Sequence, residues 1–227
     1  RITATLLSSE VKIYILAIVG AAFLLFLWAD EDSVSSLGKA FLIAVSSIST
    51  TGFHIPPFEN WTVSAGFLLL LLVTVGPMSL SNGGGFQIRR LQILLAVSVR
   101  EMVRQLHPRA VVKIKVGNES VKEERVREVV VFQFIFTSII FLTATVLTIS
   151  GVSVYESLSS SINALATAGP IRNADGVIVE VSSFSLIERL ALVPAMISGR
   201  LYLLPVLISV GYLFSESKIF LDPVEEF

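Results

Sequence analysis

The sequence contains no cysteine and only two histidines, His54 and His107, far apart along the chain. Disulfides and thiolate metal sites are therefore excluded, and a histidine-rich metal centre has almost nothing to be built from. Charge is scarce as well. Asp, Glu, Lys and Arg make up 15% of the 227 residues, against about 25% in soluble domains. The net charge of −1 leaves no basic excess for a nucleic-acid phosphate face. No nucleophile–base pair stands out, so the chain does not read as an enzyme. Gly83-Gly84-Gly85 lacks the following Lys-Ser/Thr of a phosphate loop, and no organic cofactor is expected.

What is abundant is apolar surface, at 53% of residues. The runs Ile13–Ala29, Phe67–Val75, Val129–Ile149 and Leu190–Phe214 are almost free of charge. Three of them, with their flanks, reach the roughly 17–25 residues that cross a bilayer as a helix. The competing reading is a large soluble protein with buried helices.

The first span is expected over Lys12–Ala29. With Ser35 or Ser36 as N-cap, a shorter apolar helix follows over about Leu37–Ser49, too short to cross the hydrocarbon and thus a candidate re-entrant segment. Thr50-Thr51-Gly52-Phe53 comes next, then His54-Ile55-Pro56-Pro57, which no helix accommodates. A second span starts near Asn60-Trp61-Thr62, with Trp28 and Trp61 placed as an aromatic belt would place them. That span is broken by Val75-Gly76-Pro77 and Ser79–Gly85 before a helical pattern resumes from Phe86 to Leu106. Irregular backbone at membrane depth must be buried in protein or line a wet cavity. Two readings follow for Gly76–Gly85: a cavity-facing loop inside the membrane, or an aqueous loop between two shorter spans.

His107–Lys122 alternates apolar and polar residues and reads as a small β-hairpin. A third span is expected over Arg125–Ser150, ended by Gly151, then a second short helix over Tyr155–Thr167. After Ala168-Gly169-Pro170 and a polar loop, a last span runs from about Ser185 to Phe214, kinked at Pro194 and Pro205. The order span, short helix, glycine turn, span thus occurs twice, with Thr50-Thr51-Gly52 and Thr167-Ala168-Gly169 lying 117 residues apart. The expected fold is an all-α membrane protein of two parallel membrane–pore-helix–membrane repeats with re-entrant loops. Residues 1–106 and 123–227 form the repeats, and 107–122 form a hairpin linker.

Ten of the seventeen Lys and Arg residues fall between Arg89 and Arg127. By the positive-inside rule this stretch and both termini are cytoplasmic, and both glycine turns enter from outside. The chain opens on Arg1, which reads as a piece of a longer protein.

A cation crossing hydrocarbon needs oxygens to replace its water, and converging backbone carbonyls can supply them. Gly52 and Gly169 each follow a short helix whose C-terminal end carries partial negative charge. Glycine there permits a backbone shape that a Cβ would obstruct. The competing reading is an ordinary helix C-cap glycine. Arg200 sits near the middle of the last span, where a lipid-facing charge costs about 2.5–3.5 kcal/mol, so it should face protein or water. It serves either as a barrier to cations or as a structural partner of free carbonyls.

Four stretches, Ser49-Thr50-Thr51-Gly52-Phe53, the Gly76–Gly85 break leading to Arg89-Arg90, His107-Pro108-Arg109-Ala110-Val111-Val112 and Ser198-Gly199-Arg200-Leu201, resemble the second half of the Trk/Ktr/HKT potassium transporter superfamily. The likeness is closest to bacterial and archaeal TrkH-type membrane subunits and covers nearly the whole chain. It implies the third and fourth of four repeats around one pseudo-fourfold pore, with the first two repeats on a missing N-terminal half. Thr50, Thr51, Gly52 and Phe53 would form the third filter segment, and Thr167, Ala168, Gly169 and Pro170 the fourth, binding K+ through backbone carbonyls. The gate would comprise Gly76, Ser79, Ser81, Asn82, Gly83, Gly84, Gly85 and Arg200. The resemblance further implies a homodimer in the plasma membrane and a cytosolic RCK-domain regulator of the TrkA or KtrA kind. Sodium passage or sodium-coupled potassium transport is an alternative within transport. A non-conducting membrane scaffold is the alternative of another class.

Overall fold

The computed structural model describes residues 8–28, 34–53, 62–79, 81–107, 112–117, 119–171, 173 and 178–200, without the side chains of residues 34, 35 and 200. Helix α1 spans Ser9–Leu27. It starts earlier than Lys12 because the Ser8 hydroxyl accepts the Val11 N–H at 3.4 Å, the usual service of an N-cap serine. Helix α2 covers Val34–Ile48. Ser35 and Ser36 are therefore inside its first turn rather than N-caps, a correction to the expected start. Ala40, Ile43, Ala44 and Ile48 form its buried stripe, at the spacing of one helical face.

Helix α3, Val63–Val75, is capped by the Thr62 side chain, and α4 covers Ile88–Leu106. Strands β1 (Lys115–Val116) and β2 (Glu119–Ser120) pair antiparallel, with Val116 opposite Glu119. The expected hairpin is present but only two residues long on each side. Helix α5 runs Glu123–Ile149, α6 Val154–Leu165 with Ser153 as N-cap, and α7 Leu186–Arg200 with Pro194 inside it. Pro205 and the rest of the expected last span lie outside the described residues, as do His54, Trp61 and Asn118.

Among the described residues two helices, α1 and α5, are long and apolar enough to cross a membrane. Only 33% of the most apolar window of α5 is buried, and its exposed side carries Phe134, Phe141 and Leu142. A core helix of a soluble protein hides such residues. One apolar all round is suited to lipid.

Apolar burial falls into three clusters. One joins α1, α2 and α3, through Leu25, Ile43, Ile48, Leu69 and Leu72. Another joins α5, α6 and α7, through Leu147, Ala164, Leu192 and Ala195. The third bridges them: Phe86, just before α4, packs with Phe132 and Phe136 of α5 and with Ile162 and Leu165 of α6. Phe86 and Phe132 stack with centroids 6.1 Å apart. The segment between α3 and α4 is thereby anchored in the second half of the chain.

Candidate functional site

Helices α2 and α6 end in the same way. After α2, Ser49 N–H bonds Val45 O, Thr50 N–H bonds Ser47 O and Thr51 N–H bonds Ser46 O. After α6, Ala166 N–H bonds Ile162 O, Thr167 N–H bonds Ala164 O and Ala168 N–H bonds Asn163 O. Each partner pair is shifted by 117 residues. The 6→1 and 5→2 bonds are those of a Schellman C-cap. The residue in the left-handed region is not a glycine but Thr50, with φ 53°, and Thr167, with φ 51°. For a β-branched residue that conformation costs about 1–2 kcal/mol, and such strain collects at functional sites. The C-cap reading of Gly52 and Gly169 is thus corrected: the cap is taken by threonine, and each glycine lies two residues beyond it.

The two glycines adjoin. A Cβ on Gly52, whose φ is +81°, would lie 3.3 Å from Gly169 N and 3.4 Å from Gly169 O. Gly169 itself has open space around it and is exposed. Ser46, buried beneath the first turn, donates its hydroxyl to the Phe53 carbonyl at 2.8 Å. Thr51 Oγ1 and Ser49 Oγ share a hydrogen bond of 2.6 Å. The rings of Phe53 and Pro170 flank a small cavity that also touches Gly169, Ser159 and Asn163. Both turns offer main-chain carbonyls and threonine hydroxyls, neutral oxygens suited to a large monovalent cation.

Residues 76–79 and 81–87 lie directly against these turns. Phe86 N–H bonds Thr74 O at 2.9 Å and Gln87 N–H bonds Val75 O at 2.8 Å. These bonds satisfy carbonyls that the end of α3 would otherwise leave open. Gly76, Pro77, Gly85 and Phe86 are buried, as a loop packed against protein requires. Gly84 N–H donates to Thr50 Oγ1 at 3.2 Å. A Cβ on Gly83 would meet the Pro77 ring at 2.6 Å and Thr50 Oγ1 at 2.7 Å, and one on Gly84 would meet Ala166 O at 1.9 Å. The loop therefore touches the ends of both α2 and α6. Gly76, Gly84 and Gly85 are required by contact with backbone, which cannot yield as a side chain can.

Ser81 Oγ accepts the Gly83 N–H at 3.3 Å, and Asn82 is exposed. Next to the loop, a cavity of about 600 Å³ opens between α4 and α5, with Ser79, Gln87, Arg89, Arg90, Lys122 and Arg125 in its lining. Arg90 lies 3.8 Å over the Phe132 ring, and Arg89 pairs with Glu119 at 2.5 Å.

The sequence profile of TrkH, described as a cation transport protein, matches residues 4–220. The chain belongs to the TrkH family. It is 28% identical over 212 residues to the Trk system potassium uptake protein TrkH of Halomonas elongata, covering 92% of this chain and 44% of that protein. With its Escherichia coli K12 namesake the identity is 29% over 189 residues, covering 81% and 38%. The crystal structure of the potassium transporter TrkH from Vibrio parahaemolyticus superposes with a TM-score of 0.79 at 25% identity, over 88% of this chain and 44% of that one. The chain thus spans less than half the length of the relatives it matches.

In this TrkH-family chain Gly52 of one turn meets Gly169 of the other, and Gly83 and Gly84 of the loop meet Ser49, Thr50 and Ala166; the side chain of Arg200 lies outside the described residues. Its neighbour Gly199 is placed: a Cβ there would meet Leu165 O at 1.9 Å. Gly84 and Gly199 thus seat two elements against successive carbonyls of α6. Sequence reasoning missed Ser46 and also Glu10, whose carboxylate binds Ser79 of the loop. Starting the first span at Lys12 left Glu10 out. The signal was Ser8 as a cap with an acid in the first turn behind it.

Proposed function

We propose that this chain is one half of the pore of a potassium uptake protein, with a filter of backbone carbonyls and an intramembrane loop as its gate. The observation that carries the reading is the contact of Gly52 with Gly169 directly over a loop bonded to Thr50 and packed on Ala166. The names of the relatives support potassium as the ion. Two further repeats complete the ring, since two turns enclose only part of a cation. The C-terminal ends of α2 and α6 add negative potential at the turns. In this reading Arg200 raises the barrier beside the loop. A cytosolic RCK-type ring docks on the basic face from Arg89 to Arg127 of a homodimer and opens the gate. The protein lies in the plasma membrane with both ends of this segment cytoplasmic.

Rubidium uptake into liposomes holding the complete transporter tests the proposal. Rb+ and K+ should enter and Na+ should be discriminated against. Equal Rb+ and Na+ entry would favour the sodium-coupled alternative, and no flux above protein-free liposomes would favour a scaffold.

A further inference from the structure

Glu10 is a carboxylate with 8% exposure in the first turn of α1. Among the described residues no Lys, Arg or His lies within ion-pair distance of it. Both its oxygens serve one residue of the loop. Oε1 accepts the Ser79 N–H at 2.5 Å, and Oε2 accepts the Ser79 hydroxyl at 3.1 Å. A buried carboxylate has to be hydrogen-bonded to be tolerated, and bonds to an ionised acceptor are roughly twice as strong as neutral ones. Taking the N–H and O–H of the same residue fixes both the position and the orientation of that peptide.

The bonds at the neck of the loop, to Thr74 and Val75, belong to α3 and travel with it. Thr50 and Glu10 are different, because they tie the loop to other elements. Thr50 holds Gly84 at the filter end, and Glu10 holds Ser79 across 69 residues of sequence. A loop that swings clear of the turns must release both.

We propose that Glu10 is a latch that holds the intramembrane loop in its closed position, a positioning residue for gating. The proposal rests on the reading of that loop as the gate. In the complete transporter without its regulator, Glu10→Ala raises resting Rb+ leak on the order of tenfold, about the worth of one charge-assisted hydrogen bond. Ser79→Ala keeps the N–H bond and gives a smaller rise, and Glu10→Gln falls between. The Rb+/Na+ ratio of the leak is unchanged in all three, because the latch does not touch the filter. Hydrogen exchange of the peptide covering residues 76–85 is faster in Glu10→Ala.

Thr50→Val, which frees the opposite end of the loop, separates the two ideas. If it raises leak while Glu10→Ala changes neither leak nor exchange, the loop is the gate and Glu10 is not its latch. If neither variant raises leak, the gate reading fails and takes the latch with it. Should Glu10→Ala fail to insert, unchanged leak in both Ser79→Ala and Glu10→Gln overturns the proposal.

Discussion

Alanine at Gly199 is expected to lower the melting temperature of the complete transporter by roughly 3–10 °C, and alanine at Gly84 to release the loop and raise resting leak. A methyl at either position would start 1.9 Å from a backbone carbonyl oxygen, Leu165 O for Gly199 and Ala166 O for Gly84. No rotamer moves a Cβ, so the elements themselves must separate. Overpacking of that kind costs about 1–3 kcal/mol or more, and a kilocalorie is worth roughly 2–4 °C in a protein of this size. The two substitutions fail differently because the elements differ. Helix α7 is held by a core of its own, through Leu192 and Ala195, so its displacement appears as lost stability. The loop is anchored at its end by Phe86 and tied nearer its middle only by hydrogen bonds to Thr50 and Glu10, so in the gate reading its displacement appears as leak. Gly20 and Gly38 are the controls, since a Cβ on either meets nothing within 4 Å. Alanine there should leave leak untouched and stability level or slightly raised, as helix propensity dictates. Thermal melts and flux on the four variants give the comparison.

Serine at Gly52 should reduce the Rb+/Na+ selectivity of the complete pore on the order of tenfold, a loss of about 1.4 kcal/mol of discrimination. Two effects combine there. The backbone at φ +81° lies where side chains are strained, and the new Cβ would press on Gly169 N at 3.3 Å. Either the turn flattens or the facing segment backs away, and both move the carbonyls that the proposed filter uses to replace water around the ion. Serine at Gly169 should do less. That glycine is outside the left-handed region and has open space around it, so the added atoms cost no backbone strain. Ion-flux ratios on the two variants decide whether the turns are as unequal in function as they are in geometry.

The frame of the molecule was legible because its signals were long. Runs without charge located α1, α3 and α5, and the broken stretch at Gly76-Pro77 located the loop. The duplication at 117 residues located both turns, and the structure bears out the correspondence down to individual hydrogen bonds. The start of α2 was misplaced because two serines resembled caps. In a helix whose buried stripe is Ala40, Ile43, Ala44 and Ile48, packing extended the helix back to Val34.

What stayed hidden were contacts between distant residues. The competing reading had glycine supply the left-handed cap after each short helix, since propensity favours it there. Threonine supplies it instead. At Thr50 the hydroxyl bonds Gly84, a tertiary gain that no local rule registers. Glu10 escaped for the same reason: its partner, Ser79, lies on the far side of two helices in sequence. Gly199 was noticed only as part of a motif, and its reason is the carbonyl of Leu165 against its Cα.

In the proposed filter, the carbonyl oxygens around Gly52 and Gly169 supply part of the shell of a dehydrated cation. Anomalous scattering from thallium, introduced as a potassium surrogate into crystals of the complete transporter, tests it most directly. The predicted result is a peak between the two turns, within coordination distance of their main-chain oxygens and displaced by excess potassium. Thallium peaks confined to other parts of the protein, with none between these turns, would contradict it.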